Sequence, residues 1–154
     1  MTYIQEGTQE QECIFCTKYR VGDLRDGLVL THTRHTVVML NKYPYNNGHL
    51  LLAPKRHENA LANLPAEEFT ELNEALRQSI EIVRRVVNPT GINLGMNLGK
   101  CAGAGIEDHL HWHLVPRWDG DTNFMPVIAD TRVMPQHLLD SYDRLRPFFE
   151  NLLA

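Results

Sequence analysis

Hydrophobic and polar positions along this chain follow two periods, and the change from one to the other marks its elements. In "EDHLHWHLVPRW", residues 107 to 118, His109, His111 and His113 alternate with Leu110, Trp112 and Leu114. Period two is the spacing of a β-strand with one polar and one apolar face, so the pattern predicts three imidazoles projecting from one side of a strand. "GLVLTHTRHTVVMLN" (27 to 41) predicts two short strands, the second richer in β-branched residues. "HLLLAP" (49 to 54) predicts a third, closed by Pro54. The intervening "KYPYNNGH" is turn chemistry, with Asn46-Asn47-Gly48 suited to positive φ, so 36–41 and 49–54 read as an antiparallel pair. "INLGMNLG" (92 to 99) alternates as a fourth strand with its asparagines on one side.

Across residues 65 to 88 the period becomes three and four. Phe69, Leu72, Leu76, Ile80, Val83 and Val87 form an apolar stripe on one long helix. Pro65 suits its first turn, Glu67 and Glu68 complement its positive N-terminus, and "NPTG" stops it. Residues 135 to 152 read as a final helix opened by Pro135. Strands, helix, strands, helix, with short links between strands, predict an α+β fold. It would be an antiparallel sheet of about five strands covered by the long helix and a C-terminal helix, not a doubly wound parallel sheet. Residues 1 to 12 read as a flexible arm and 13 to 154 as a single domain.

Composition narrows the partners. At 154 residues the chain can bury a core without disulfides, and 43% hydrophobic with 22% charged residues is that of a soluble globular protein. No apolar run approaches the roughly 20 residues of a membrane span. "MTYIQEGTQEQEC" is polar and acidic, unlike a signal or targeting helix, so the expected compartment is the cytoplasm. A net charge of −4 argues against nucleic acid but leaves room for a small phosphorylated ligand held by local N–H groups. Of three cysteines, Cys13 and Cys16 in "CIFC" have the spacing shared by zinc sites and redox pairs, and a structural zinc needs two more ligands.

Two chemistries suit the histidine row. Histidines on a strand face can hold zinc. Alternatively, a neutral imidazole attacks phosphorus when its far nitrogen donates its proton to a fixed acceptor, with a neighbouring histidine protonating the leaving oxygen. The preceding "CAGAGIEDH" favours the second. Gly103 and Gly105 let backbone N–H groups approach phosphate oxygens, and a nucleophile beside an oxyanion cradle is what nucleotidyl transfer requires.

"HLHWHLV" has the form His-x-His-x-His-x-x and resembles the signature of the histidine triad (HIT) family. "VMLNKYPYNNGHLLLAPKRH", "LGMNLG", "AGAGIEDHLHWHLVPRW" and "GDTNFMPV" follow in the family's order, covering most of the chain. "NKYPYNNGH" and "PRWDGDTNFMPV" resemble the branch associated with diadenosine tetraphosphate phosphorylases. The resemblance implies that His111 attacks the α-phosphorus through Nε2 while a main-chain carbonyl holds its Nδ1–H. His113 would help the leaving group depart, with water or phosphate then releasing AMP. It further implies nucleotide contacts from Asn41, Asn97 and His113, a backbone cradle over Gly103, Ala104, Gly105 and Ile106, and a homodimer. Zinc-carrying members place two ligands at positions matching His57 and His109. With Cys13 and Cys16 these would close a structural Cys2His2 zinc site without catalytic function, and no organic cofactor is implied.

One departure stands out. Many family hydrolases carry glutamine and serine or threonine in the loop that here reads Ala104, Gly105, Ile106, so phosphate as acceptor or a different leaving group becomes credible. Two alternatives remain open: a purine nucleoside phosphoramidase of the same family, and a hydrolase using the three histidines as ligands of one catalytic zinc. Other residues read as ordinary: His32, His35 and His49 as strand or turn positions, Trp112 as core, Tyr43, Tyr45 and Trp118 as core or dimer surface. Cys101 reads as inert, and Lys55 and Arg117 as surface charges.

Overall fold

The structure is a computed structural model, described here for residues 13–20, 22–121 and 137–154. Its five strands are β1 (Val29–His32), β2 (Thr36–Leu40), β3 (Leu50–Pro54), β4 (Gly91–Met96) and β5 (Trp112–Arg117). They form one antiparallel sheet in the order β1-β2-β3-β5-β4. The helices are a single turn, α1 (Ile14–Thr17), the long α2 (Ala66–Val87) and α3 (Leu138–Phe149). The α+β architecture expected from the sequence is therefore the one observed.

The period-two pattern gives the sheet two different faces. Val38, Leu40, Leu50, Leu52 and Leu114 point to the side covered by α2 and α3, joined there by Leu72, Ala75, Val83, Leu145 and Phe149. Val29, Val37, Met39, Leu51 and Ala53 point to the other side, where Phe15 of α1 covers them. Leu51 is paired with His113, so the third histidine of the row lies on the α1 side. The register of β3 against β5 thus decides which face carries the imidazoles.

Some boundaries differ from expectation, each for a physical reason. The α2 stripe buries Leu72, Ala75, Leu76, Ser79, Val83 and Val86, while Phe69 is 41% exposed. At that first turn the sheet-facing position goes instead to Glu68, whose carboxylate takes a bidentate grip from Arg56 (2.7 and 2.9 Å). Pro65 sits at the N-cap, and Asn88 closes the helix with φ 48°, donating its N–H to the Arg84 carbonyl. β4 stops at Met96, and as the edge strand it leaves Leu94 45% exposed, so its leucine side is not uniformly core. Helix α3 starts at Leu138, where His137 Nδ1 accepts from the Leu139 N–H. Pro135, expected to open it, lies outside the described residues, as do the expected arm 1–12 and most of "GDTNFMPV".

The strand expected over the histidine row begins at Trp112. Upstream, Leu110 N–H donates to the Glu58 carbonyl, which draws the chain out of the ladder while keeping it extended.

Leu72 and Phe69 separate the observed stripe from the predicted one. By denaturant unfolding, Leu72→Ala should cost about 2–5 kcal/mol as a core truncation. Phe69→Gln should stay below about 1 kcal/mol, as expected for a surface position.

Candidate functional site

Four imidazoles gather on the α1 face: His49, His109, His111 and His113. The first three are nearly or fully buried, and His113 is half-buried. Adjacent rings stand close, with centroids 4.9 Å apart for His111 and His113 and 5.2 Å for His49 and His113. Burial pushes all four below the ordinary imidazole value of 6.5. His49 falls to about 3, chiefly by burial and further by His113 and His111. His109 falls to about 4, chiefly by burial and against the bond to Pro54. His113 falls to about 4, by burial and then by His111. His111 is lowered by burial and held back by its bond to the His109 backbone. At neutral pH these rings are uncharged.

A neutral imidazole has one N–H and one lone pair, and the main chain here decides which nitrogen has which. His111 Nδ1 lies 2.8 Å from the His109 carbonyl, which can only accept. The proton is therefore on Nδ1 and the Nε2 lone pair is free. His109 Nε2 lies 2.7 Å from the Pro54 carbonyl, so Nε2 carries the proton and the Nδ1 lone pair faces the Cys13 and Cys16 sulfurs at 3.2 and 3.5 Å. Tyr45 N–H can only donate, and it does so to His49 Nδ1 at 3.0 Å. His49 Nε2 then holds the proton and donates it to His113 Nδ1, also at 3.0 Å. His113 must in turn carry its own proton on Nε2.

The outcome is a row of three histidines with three chemical characters. His109 offers a lone pair to the sulfurs, His111 a lone pair for attack, and His113 an N–H for donation. The rings do not converge on one metal. Among the described residues the one cluster of close metal-type donors is Cys13, Cys16, His57 and His109, whose donor atoms lie within 4.8 Å of one another. His57 Nδ1 is 3.4 Å from Cys16 Sγ. A tetrahedral zinc with Zn–S near 2.3 Å and Zn–N near 2.0–2.1 Å sets neighbouring ligands about 3.3–3.8 Å apart. The donor set fits zinc in chemistry, and its sulfur–nitrogen contacts of 3.2, 3.4 and 3.5 Å lie near that spacing.

The remaining expected residues divide. Asn41, just after β2, bonds within the site: its Oδ1 accepts from Tyr43 N–H (2.9 Å), and its Nδ2 lies 3.4 Å from His49 Nδ1. Asn97 Nδ2 donates to the Gly103 carbonyl (3.3 Å) and so steadies the glycine loop. Within that loop Gly103 has φ +86°, and its N–H bonds to the Lys100 carbonyl, while Ala104 N–H bonds to that of Gly99. The turn thus uses the amides of Gly103 and Ala104. Ile106 anchors its side chain in the Phe15 cluster.

One assignment from the sequence is corrected here. His49, read as an ordinary turn residue, is fully buried and sets the proton position on His113. A polar residue opening an otherwise apolar strand was the available signal. Arg117, read as a surface charge, keeps its side chain 39% exposed and is paired with Asp121 (2.6 and 2.7 Å) and Asn93 (2.8 Å). Tyr45 stacks on His113 at 5.8 Å with a 14° tilt, so it belongs to the site wall.

Residues 25–120 match the HIT domain family. The chain belongs to that family. A Mycobacterium tuberculosis protein named AP-4-A phosphorylase is 41% identical over 116 residues, 75% of this chain and 60% of that protein. The chain thus spans about 60% of the length of that curated relative. Among solved HIT structures, a hypothetical histidine triad nucleotide-binding protein from Sulfolobus tokodaii is 25% identical with a TM-score of 0.68, covering 91% of this chain and 93% of that one. A zinc-bound histidine triad family protein from Mycobacterium smegmatis is 25% identical with a TM-score of 0.66, covering 92% and 95%.

The depressed histidines tie stability to pH. His49 faces His113, His111, Asn41 and Tyr45, and in the unfolded chain it and His113 protonate near 6.5. Between pH 6.5 and their folded values of about 3 and 4, the unfolded state binds more protons, so acid favours unfolding. Their stabilising contribution is complete above pH 6.5 and shrinks below it, by up to about 1.4 kcal/mol per pH unit per histidine. Denaturant melts from pH 7.5 to 4.5 should show this loss, with a shallower slope in His49→Gln.

Proposed function

We propose that this chain is a nucleotidyl hydrolase or transferase that cleaves a dinucleoside polyphosphate of the diadenosine tetraphosphate type at the α-phosphorus. The observation that carries the reading is the His111 Nδ1–H held by the His109 carbonyl, which leaves the opposite nitrogen a bare nucleophile. His111 Nε2 bonds to the α-phosphorus as the bridging P–O bond breaks, and His113 Nε2–H donates a hydrogen bond to the departing oxygen, which leaves as the polyphosphate anion and needs no proton. Water or inorganic phosphate then attacks phosphorus, the P–N bond breaks, and AMP or ADP leaves. The amides of Gly105 and Ile106 bind the phosphate oxygens, while Asn41 and Asn97 contact the nucleotide. The name of the Mycobacterium tuberculosis relative supports this substrate class.

Cys13, Cys16, His57 and His109 are proposed to hold a structural zinc. When bound it supplies folding energy and, with four protein ligands, no open position for catalysis. The zinc-bound structural neighbour and the donor spacing support it. The reading includes a homodimer, supported by the edge strand β4 with Leu94 and Leu98 about half exposed. It also places the protein in the cytoplasm, whose reducing conditions suit free Cys13, Cys16 and Cys101. Among the described residues no helix is long and apolar enough to cross a membrane.

Incubation with diadenosine tetraphosphate, with and without inorganic phosphate, is the direct test. AMP plus ATP identifies hydrolysis and ADP plus ATP phosphorolysis, whereas an intact substrate rejects the proposal. His111→Ala should lower kcat by about a thousandfold or more with AMP affinity changed little, because covalent chemistry is lost rather than ground-state binding. Turnover in that variant near the unmodified rate would reject the nucleophile. Elemental analysis of gently purified protein should find about one zinc per chain, falling in Cys13→Ser. Metal-free, fully folded protein would remove zinc from the account.

A further inference from the structure

Phe15 is the one residue of α1 that is completely buried, and it is flanked in "CIFC" by the two cysteines of the candidate metal site. Its ring centroid lies 5.0 Å from that of His109 and 4.9 Å from that of His111, tilted by 54° and 36°. The cysteine sulfurs therefore meet His57 and His109 while Phe15, between them in the chain, packs against the rings of His109 and His111. On its other sides Phe15 belongs to the cluster of Val29, Val37, Met39, Leu51 and Ala53, which fixes its place on the sheet.

The His111 Nδ1–H bond to the His109 carbonyl holds one edge of the ring. One hydrogen bond at a ring edge leaves rotation about the side-chain torsions opposed by roughly 1 kcal/mol. That alone does not keep Nε2 aimed at a substrate. An aromatic ring packed against the imidazole opposes that rotation by overlap.

We infer that Phe15 is a positioning residue for His111, by which the Cys13–Cys16 turn holds the attacking imidazole in a single orientation and tautomer. The inference rests on the reading of His111 as nucleophile. It gives the metal-holding turn a role in the chemistry without placing a metal in it: anchoring α1 anchors the wall behind the nucleophile.

Phe15→Leu tests this in the full-length protein with zinc added to saturation, since leucine keeps most of the apolar bulk and removes the flat face. Single-turnover formation of the AMP adduct from diadenosine tetraphosphate should slow about tenfold or more with little change in KM, the signature of lost transition-state alignment. Nitrogen-15 NMR should find His111 as one tautomer, protonated on Nδ1, in the unmodified protein and as a mixture in Phe15→Leu. Phe15→Met provides the same comparison if the leucine variant does not fold. A variant that melts at lower temperature yet keeps the adduct rate and the single tautomer would overturn the inference, leaving Phe15 as core alone. No adduct on His111 of the unmodified protein would sink the nucleophile reading and this inference with it, whereas an adduct formed at equal rates in both proteins sinks only the inference.

Discussion

Everything at the site depends on the main chain choosing which nitrogen of each buried imidazole keeps the proton. The carbonyls of Pro54 and His109 and the amide of Tyr45 are fixed in kind, because a carbonyl cannot donate and an amide N–H cannot accept. Burial removes the doubly protonated form at neutral pH, so each ring has one state left. Three chemically identical side chains are thereby given a lone pair facing the cysteine sulfurs, a lone pair opposite a held N–H, and an N–H available for donation. The first and second are joined directly, since the carbonyl that orients His111 belongs to His109.

Holding that arrangement costs free energy. Uncharged imidazoles are polar, and burying one without its hydrogen bonds costs on the order of 1–3 kcal/mol. The sheet meets this cost by using its faces unequally. The helix side is nearly uniform leucine, valine and phenylalanine and supplies the hydrophobic stabilisation, while the α1 side holds the polar cluster. A slip of one residue between β3 and β5 would put Leu114 where His113 stands, so the leucines opposite also fix the register of the site. Arg56 clamped on Glu68 extends the same logic, tying the chain just before His57 to the first turn of α2.

Much of this was legible in the sequence because it is written in periodicity. The sheet, the long helix and the facing of His113 away from Trp112 follow from counting apolar positions, and the triad resemblance named His111 and His113. What failed depended on partners distant in the chain. Phe69 obeys the helical period but lies where the sheet-facing position belongs to Glu68, an acid whose burial is paid for by Arg56, a loop residue. The histidine row looked like one strand, yet the Glu58 carbonyl takes the Leu110 N–H and delays the ladder to Trp112. For His49 the sequence offered only a polar residue opening an apolar strand, because its role comes from Tyr45 four residues back and His113 sixty-four residues on. No local pattern encodes that bridge.

The same distant pairing bears on how charge is handled. A phosphoryl transition state carries negative charge that many sites meet with lysine or arginine. Two cations near the site in sequence are otherwise engaged: Arg117 by Asp121 and Asn93, and Lys55 by the Thr33 carbonyl and His32. Ala104, Gly105 and Ile106 bring no polar side chain either. In the proposed reaction oriented amide dipoles and the His113 N–H then contribute to that stabilisation. A site built this way relies on alignment more than on charge. In the proposed arrangement a buried ring such as Phe15, with no polar atom of its own, acts through packing alone.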